Sequence, residues 1–260
     1  MTLEFHKYQG TGNDFIMVDD RDEHFNPPKN IIEKLCDRRF GIGADGLILI
    51  RNHQELDFEM IYFNSDGSQS MCGNGSRCAV HFAHQLGIIG RQTIFQSTDG
   101  LHEATIEEDI ISLSMHDVGG INTLNPNECF LNTGSPHHII FSPDNHSVDI
   151  IKEGRTIRYA DTYQPGGTNV NFVTLLGSNE INVRTYERGV EDETLSCGTG
   201  VTAAALAVSQ QNISSPVIVH TKGGTLSVSF VRNEKGFTQI KLIGPATPVF
   251  KGAIDLSTLE

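Results

Sequence analysis

The chain has 260 residues, and its 19 basic and 32 acidic side chains give a net charge of −13. This length allows one large domain or two of roughly 120 residues each, and the negative charge argues against a nucleic-acid partner or an anionic membrane, because both need clustered Lys and Arg. No apolar run approaches the roughly 20 residues of a membrane span, and the N-terminus "MTLEFHKYQG" has no signal-peptide pattern, so we expect a cytoplasmic protein.

The first half of the chain predicts several strands and an early helix. Pro27 opens the helix "PPKNIIEKLCDR", in which Ile31 and Leu35 have helical spacing. Alternating or β-branched runs between turn residues predict the strands "LEFHK", "IMVDD", "LILI", "DFEMIYF", "TIFQST", "HEATIEE" and "ISLSM".

The second half continues the mixture of strand and helix. Its predicted strands are "CFLNTG", "HHIIFS", "NVNFVTLLG", "INVRTYE", "VIVHTK", "TLSVSFV" and "TQIKLIG". Gly, Asn and Pro accumulate in "HDVGGINTLNPNE", between the halves, which favours a domain boundary there. We therefore predict an N-terminal domain over residues 1–116 and a C-terminal domain over residues 117–248.

One short motif, Cys-Gly-x-Gly, occurs twice, at Cys72 in "MCGNGSRC" and at Cys197 in "SCGTG". Each copy follows a predicted strand and opens a predicted helix, after which come a strand, a turn and two more strands. The turn glycine lies 28 residues after Cys72 at Gly100, and 27 residues after Cys197 at Gly224. The matched order and spacing predict two copies of one α/β unit.

A cysteine at a helix N-terminus is suited to proton transfer. Unpaired backbone N–H groups and the helix macrodipole stabilise a thiolate in that position and lower its pKa. The glycines let a carboxylate or oxyanion approach the same N–H groups. Two such corners on opposite faces of one bound carbon would support stereochemical inversion, because one sulfur removes the α-proton and the other returns a proton from the far side.

Other interpretations of the cysteines remain open at this point. A cysteine followed by glycine is commonly a small buried residue at a turn. A metal site is poorly supported, because the chain has no C-x-x-C pair and Cys72 and Cys78 lie six residues apart. We predict Cys36, Cys78 and Cys129 to be packing residues, and the odd total of five cysteines fits a reducing compartment.

With these motifs in view, nearly the whole chain resembles the diaminopimelate epimerase family. Eight motifs occur in the family's order, and any one of them alone is weak. They are "GTGNDF", "GIGADGLI", "FNSDGS", "MCGNGSRC", "GSPHH", "GTNVNF", "YERG" and "SCGTG".

The resemblance implies a cofactor-independent isomerase that interconverts LL- and meso-diaminopimelate for lysine and peptidoglycan precursor synthesis. Cys72 and Cys197 match the family's acid–base pair, and His137 and Glu187 match positions that assist the cysteines. The positions that match substrate-binding residues are Asn13, Asn64, Gly73, Asn74, Asn169, Glu187, Arg188, Gly198 and Thr199.

The resemblance also implies the fold and the assembly. The expected fold is α/β (α+β), with two pseudo-symmetric domains that are each a curved mixed β-sheet wrapped around a central α-helix. Residues 249–260 are expected to complete the first domain. Family members are commonly homodimers, so we expect a homodimer with a small-molecule substrate, and with no metal, cofactor, nucleic-acid or membrane partner.

Two positions depart from the pattern of many members. Gly46 stands where a glutamine often lines the pocket, and Ser135 stands where an asparagine is common. A hydroxyl or a bridging water at Ser135 can replace a polar contact, whereas Gly46 cannot. Without the resemblance, Asn13 and Asn64 would be interpreted as turn residues.

Three other functions would share some of these features. A proline or hydroxyproline racemase would share "CGTG" but usually carries a histidine after the first Cys-Gly, where this chain has Asn74. A non-catalytic amino-acid-binding protein would have no use for two acid–base sulfurs. Pyridoxal phosphate dependence is poorly supported, because no lysine stands in a cofactor-like motif.

Overall fold

The computed structural model describes residues 2–259. They form two compact units, one that runs to Leu113 and resumes at Pro245, and one that comprises Ser114–Gly244. The domain boundaries predicted from the sequence, after residues 116 and 248, stay predictions.

The first unit contains two helices, α1 (Lys29–Cys36) and α2 (Gly73–Gln85). Its strands are β1 (Thr2–Gly10), β2 (Asn13–Asp19), β3 (Gly46–Arg51), β4 (Phe58–Asn64), β5 (Gln92–Ser97), β6 (Gly100–Glu107) and β7 (Ile110–Ser114).

The second unit contains helices α3 (Ile150–Arg158) and α4 (Gly198–Ala207). Its strands are β8 (Asn122–Asn125), β9 (Glu128–Asn132), β10 (Pro136–Phe141), β11 (Asn169–Leu175), β12 (Glu180–Glu187), β13 (Asp192–Thr194), β14 (Val217–Thr221), β15 (Gly224–Asn233) and β16 (Gly236–Pro245). The chain then returns to the first unit as β17 (Thr247–Asp255), which pairs antiparallel with β1.

The two units repeat one pattern of strand pairing. Across the first unit the order is β17-β1-β2-β3-β4-β5-β6-β7. Across the second it is β8-β9-β10-β11-β12-β14-β15-β16, with β13 paired to β12. In both, the third and fifth neighbouring pairs are parallel and the others antiparallel. The predicted mixed α+β fold and its internal repeat are therefore confirmed.

A buried helix is central to each unit. Helix α2 is buried from Gly73 to Ala83 and contacts β1, β2, β3, β4 and β6. Helix α4 contacts β9, β10, β11, β12, β14 and β15, and its small and apolar residues, Ala above all, form no polar face. A helix without a polar face must be covered on all sides. None of the helices formed by residues 2–259 has the length and apolarity of a membrane span.

Some elements differ from the sequence prediction. Strands β8 and β13 and helix α3 were not predicted. Helix propensity does not predict α3, because glycine disfavours a helix and Gly154 lies in its middle. That glycine is needed for packing, since an added β-carbon there would lie 2.4 Å from Tyr186 Cβ. Cys36, Cys78 and Cys129 are all buried, as predicted for packing residues.

Candidate active site

Cys72 lies at the start of the buried helix α2. Its backbone is extended (φ −136°, ψ 108°), it caps the helix, and its Sγ accepts a hydrogen bond from the Gly75 amide at 3.4 Å. A β-carbon at Gly75 would lie 3.0 Å from Ile48 Cδ1, so the second glycine of the motif lets the helix start pack closely on β3. The sulfur thus occupies the positive end of the helix, where a thiolate is stabilised.

The side chain of Asn13 contacts this sulfur. Its Oδ1 lies 3.5 Å from Cys72 Sγ and accepts a hydrogen bond from Asn74 Nδ2 at 3.4 Å. Its Nδ2 donates to Asp45 Oδ2 at 2.5 Å. Because an ionised carboxylate only accepts hydrogen bonds, Asp45 fixes which end of the Asn13 amide faces the cysteine.

Asp45 is itself held by a network of charges. Arg38 Nη2 donates to Asp45 Oδ1 at 2.7 Å and to Asp14 Oδ1 at 2.6 Å. Lys7 Nζ lies 2.7 Å from Asp14 Oδ2. Burial by itself would raise the pKa of Asp14, but the hydrogen bonds from Arg38 and Lys7 outweigh it and lower that pKa to about 2. Asp14 is therefore ionised at neutral pH.

Arg77 is a fully buried cation one helical turn from the corner. Its guanidinium donates to Asn74 Oδ1 at 3.0 Å, Thr11 Oγ1 at 3.3 Å, and the carbonyls of Gly73 and Pro245. Within residues 2–259 it forms no ion pair with a carboxylate. Burial lowers the pKa of Arg77 to about 10, so the side chain remains charged at neutral pH. A buried cation with only neutral partners stabilises nearby negative charge.

Asn64 and Gly46 lie side by side, because Gly46 pairs with Asn64 across β3 and β4. Asn64 Nδ2 donates to Ser68 Oγ at 3.0 Å and to Ser70 Oγ at 3.1 Å, so this amide braces the turn after β4. An added β-carbon at Gly46 would lie 2.5 Å from Tyr62 Cε2 and 2.4 Å from the carbonyl oxygen before Asn64. Tyr62 therefore occupies the space that a side chain at position 46 would need.

Cys197 lies at the start of α4, in a geometry like that of Cys72. Its backbone is extended (φ −116°, ψ 112°), and the residue is buried. Its Sγ lies 3.5 Å from Thr199 Oγ1, and the Thr199 hydroxyl lies 2.9 Å from His137 Nε2. Thr133 Oγ1 donates to the Thr199 carbonyl at 2.9 Å and anchors the same turn. Burial, and then the charge of Arg188, lower the pKa of His137 to about 3, so its imidazole is neutral at pH 7.

Asn169 organises the remaining polar groups of the second unit. Its Nδ2 donates to Ser135 Oγ at 2.9 Å, and its Oδ1 accepts from the Arg188 amide at 2.9 Å. Arg188 Nη1 donates to the Gly166 carbonyl at 3.2 Å, and among residues 2–259 its guanidinium forms no ion pair. Glu187 Oε2 accepts a hydrogen bond from Thr194 at 2.8 Å. The guanidinium of Arg188 thus retains donors for a carboxylate ligand.

The predicted site residues therefore gather around two helix starts. The first group contains Cys72, Gly73, Asn74 and Asn13. Asn64 instead donates hydrogen bonds to Ser68 and Ser70. The second group contains Cys197, Gly198, Thr199 and His137, with Asn169, Glu187 and Arg188 at the ends of β11 and β12.

Asp45, Arg77 and Asn171 also belong to the site, although none of them was predicted from the sequence. The strand period offered a signal for Asn171, because residues 169 and 171 share one face of β11. Nothing in the sequence connects Asp45 to Asn13, which lies 32 residues away.

Comparison with known proteins identifies the family. The model of the family described as diaminopimelate epimerase matches residues 5–118 and 129–249. A protein named diaminopimelate epimerase from Flavobacterium psychrophilum is 54% identical over 258 residues, which cover 97% of this chain and 100% of the relative. The chain belongs to the diaminopimelate epimerase family. A second relative of that name, from Aquifex aeolicus, is 40% identical over 289 aligned residues, which cover 99% of this chain and 100% of the relative.

Solved structures agree on the fold. A hydroxyproline epimerase from Agrobacterium vitis superposes with a TM-score of 0.74 at 12% identity, covering 97% of this chain and 92% of its own. A PhzF-family phenazine biosynthesis protein from Bacillus anthracis has a TM-score of 0.73 at 14% identity, covering 98% and 99% of the two chains. As a member of the diaminopimelate epimerase family, the chain is an isomerase of the epimerase type that acts on a small molecule.

Proposed function

We propose that this chain interconverts LL-2,6-diaminopimelate and meso-diaminopimelate by proton transfer at the α-carbon, in the synthesis of lysine and peptidoglycan precursors. The observation that carries the proposal is the 54% identity to a relative named for this reaction, over the relative's whole length. The presence of a cysteine at the start of each central helix supports it.

In this proposal, Cys72 and Cys197 form the acid–base pair. In each direction one thiolate takes the α-proton while the other thiol gives a proton to the opposite face. The amides of Gly73, Asn74, Gly198 and Thr199 then stabilise the charge that develops on the substrate carboxylate.

The remaining predicted residues would bind the rest of the substrate. The guanidinium of Arg188 suits a carboxylate, and the carboxylate of Glu187 suits an ammonium group. Asn13 and Asn169 would supply neutral polar contacts, and Asn64 would shape the loop beside them. His137 and Glu187 would assist the two sulfurs. In this proposal no cofactor takes part.

We also propose a cytoplasmic homodimer with no nucleic-acid or membrane partner. The net charge of −13 supports the absence of polyanion binding, because such a surface would repel phosphate groups. Size-exclusion chromatography with light scattering tests the dimer.

The experiment that tests the reaction uses purified protein and LL-2,6-diaminopimelate in D2O. We expect formation of the meso isomer and incorporation of deuterium at the α-carbon without any added cofactor. Cys72→Ala and Cys197→Ala should each abolish turnover while retaining the wild-type circular dichroism spectrum. Full epimerisation by either variant would overturn the mechanism.

The same exchange experiment, run with other amino acids, tests the alternative functions. L-proline and trans-4-hydroxy-L-proline should not exchange their α-protons, whereas a racemase of cyclic amino acids would exchange them. A protein that only binds amino acids would bind without exchange of any substrate's α-proton.

A further inference from the structure

His137 lies in β10 between two fixed hydrogen-bond partners. Its Nε2 is 2.9 Å from Thr199 Oγ1, and its Nδ1 is 3.0 Å from Asn171 Nδ2. The side chain is fully buried, and its neighbours in the sheet are Leu131 of β9 and Asn169 of β11. The imidazole therefore has no access to bulk water, and its protonation depends on these partners.

The orientation of the Asn171 amide is fixed from both ends. Thr185 Oγ1 lies 3.0 Å from Asn171 Oδ1, and the Asn171 Nδ2 group donates at 3.3 Å to the carbonyl of His138. A carbonyl only accepts hydrogen bonds, so the end of the amide that faces it must be the NH2 group. The same NH2 group faces His137 Nδ1, which must accept.

The direction of the next two hydrogen bonds follows. With Nδ1 as an acceptor, the neutral imidazole carries its proton on Nε2 and donates to the Thr199 hydroxyl. The Thr199 oxygen then accepts from His137, so its own proton is available to Cys197 Sγ, 3.5 Å away. A hydroxyl that donates to sulfur favours the thiolate.

We propose that Asn171 is a positioning residue that holds His137 as the Nε2–H tautomer, so that the Thr199 hydroxyl donates to Cys197. The role in turnover rests on the proposed function, whereas the hydrogen-bond directions do not. Asn171 has no part in substrate contacts in this proposal. Its effect passes through two intervening side chains to the sulfur.

The surroundings of His137 are consistent with this arrangement. Its hydrogen-bond partners Thr199 and Asn171 and its strand neighbours Leu131 and Asn169 are uncharged. The charged group that acts on it is Arg188. Burial and this nearby cation both lower the pKa of His137. An added β-carbon at Gly200 would lie 2.5 Å from Asn171 Oδ1, so the last glycine of "CGTG" leaves room for this amide.

The tautomer is tested directly in the full-length chain. Long-range 1H–15N correlation spectra report which imidazole nitrogen carries the proton, and His137→Gln assigns the signals among the 11 histidines. We expect a protonated Nε2 and an unprotonated Nδ1 in the wild type at neutral pH. Asn171→Asp, which presents only acceptors, should move a proton to Nδ1. An Nδ1 that is already protonated in the wild type would overturn the proposal.

The connection to the sulfur is tested by the pH dependence of Cys197 alkylation, measured with iodoacetamide and peptide-resolved mass spectrometry. Asn171→Leu and Thr199→Val should each move the midpoint of alkylation to higher pH. In the Thr199→Val background, Asn171→Leu should have no further effect, because the route through the hydroxyl is already broken. Additive shifts, or no shift in Asn171→Leu, would contradict the proposal.

Thr185 supplies the matched control. Thr185→Ser retains the donor to Asn171 and should keep both the wild-type tautomer and the alkylation profile. Thr185→Val leaves the Asn171 amide held by the His138 carbonyl alone, so it should keep the tautomer and move the alkylation midpoint in the direction of Asn171→Leu by a smaller amount. Thermal unfolding of every variant separates these effects from loss of the fold. None of these measurements requires turnover of diaminopimelate, so failure of the proposed reaction would leave their outcomes interpretable.

Discussion

Asn13 Nδ2 donates a 2.5 Å hydrogen bond to Asp45 Oδ2, and this bond turns the amide oxygen of Asn13 toward Cys72 Sγ. The orientation of the residue beside the sulfur is therefore set by a carboxylate that does not touch the sulfur. Arg38 holds that carboxylate in turn. The cysteine corner of the first unit thus depends on charges outside its own motif.

Replacement of Asp45 by Asn should weaken catalysis without unfolding the protein. The variant loses a charge-assisted hydrogen bond, so Asn13 is held less firmly beside Cys72. We expect kcat/KM to fall about tenfold, which corresponds to about 1.4 kcal/mol. Asp19→Asn, which breaks a comparable contact with Arg21 on the surface, is the control and should retain wild-type activity. Equal rates for the two variants would contradict the orienting role of Asp45.

Replacement of Arg77 by Met should affect both stability and Cys72. The change removes the hydrogen bonds that the guanidinium donates to Asn74 Oδ1 and Thr11 Oγ1, and loss of a donor to a buried polar group costs about 1–3 kcal/mol. Loss of the buried cation should also move the alkylation midpoint of Cys72 to higher pH, because less positive charge then faces the thiolate. Urea unfolding and peptide-resolved alkylation measure the two effects. Arg77→Lys retains the charge and should shift the midpoint less; an equal shift would show that charge is not the cause.

Replacement of Gly46 by Ala should destabilise the first unit. The new β-carbon would meet the Phe63 carbonyl and the Tyr62 ring at 2.4 and 2.5 Å, so the strands must separate locally. Overpacking of this kind costs about 1–3 kcal/mol, and urea unfolding measures it. Gly90→Ala places its β-carbon in open space and should change stability by less than about 0.5 kcal/mol. A neutral effect of Gly46→Ala would mean that Tyr62 can move aside.

The buried His137 should make stability depend on pH in the acid range. Its pKa is about 3 in the folded chain and 6.5 in the unfolded chain, so between these values the unfolded chain binds a proton that the folded chain does not. The free energy of unfolding therefore falls as the pH falls below 6.5, by up to about 1.4 kcal/mol per pH unit from this group. His137→Gln should show a shallower slope between about pH 6 and 4. The exposed His24→Gln variant is the control, and a slope for His137→Gln as steep as in that control would contradict the prediction.

Much of the fold was predictable because local signals and tertiary packing agree. Helices α2 and α4 follow their Cys-Gly-x-Gly corners as predicted. Alternating and β-branched runs also predicted most of the strands. Helix α4 ends at Ala207, and a 3-10 helix continues from it to Gln211. Helix α3 was missed because its central Gly154 serves a contact with Tyr186, which no local pattern reveals.

The site was predictable by residue type but not by hydrogen-bond direction. Motifs identified Asn13 and His137, yet the partners that orient them, Asp45 and Asn171, are supplied by tertiary contacts. Asn64 was predicted from a motif as well, but its amide donates hydrogen bonds to Ser68 and Ser70 in the turn that follows it. The departure at Gly46 was visible in the sequence, but its reason, the ring of Tyr62, required the structure.

The most direct test of the two-cysteine mechanism is the early distribution of deuterium in D2O, measured separately from the LL and the meso isomer. Two bases predict that the newly formed isomer carries solvent deuterium at the inverted carbon while the unreacted isomer stays unlabelled, in both directions. A single base that serves both faces would return the original hydrogen to the product or label the unreacted isomer. Either of those results would contradict the account.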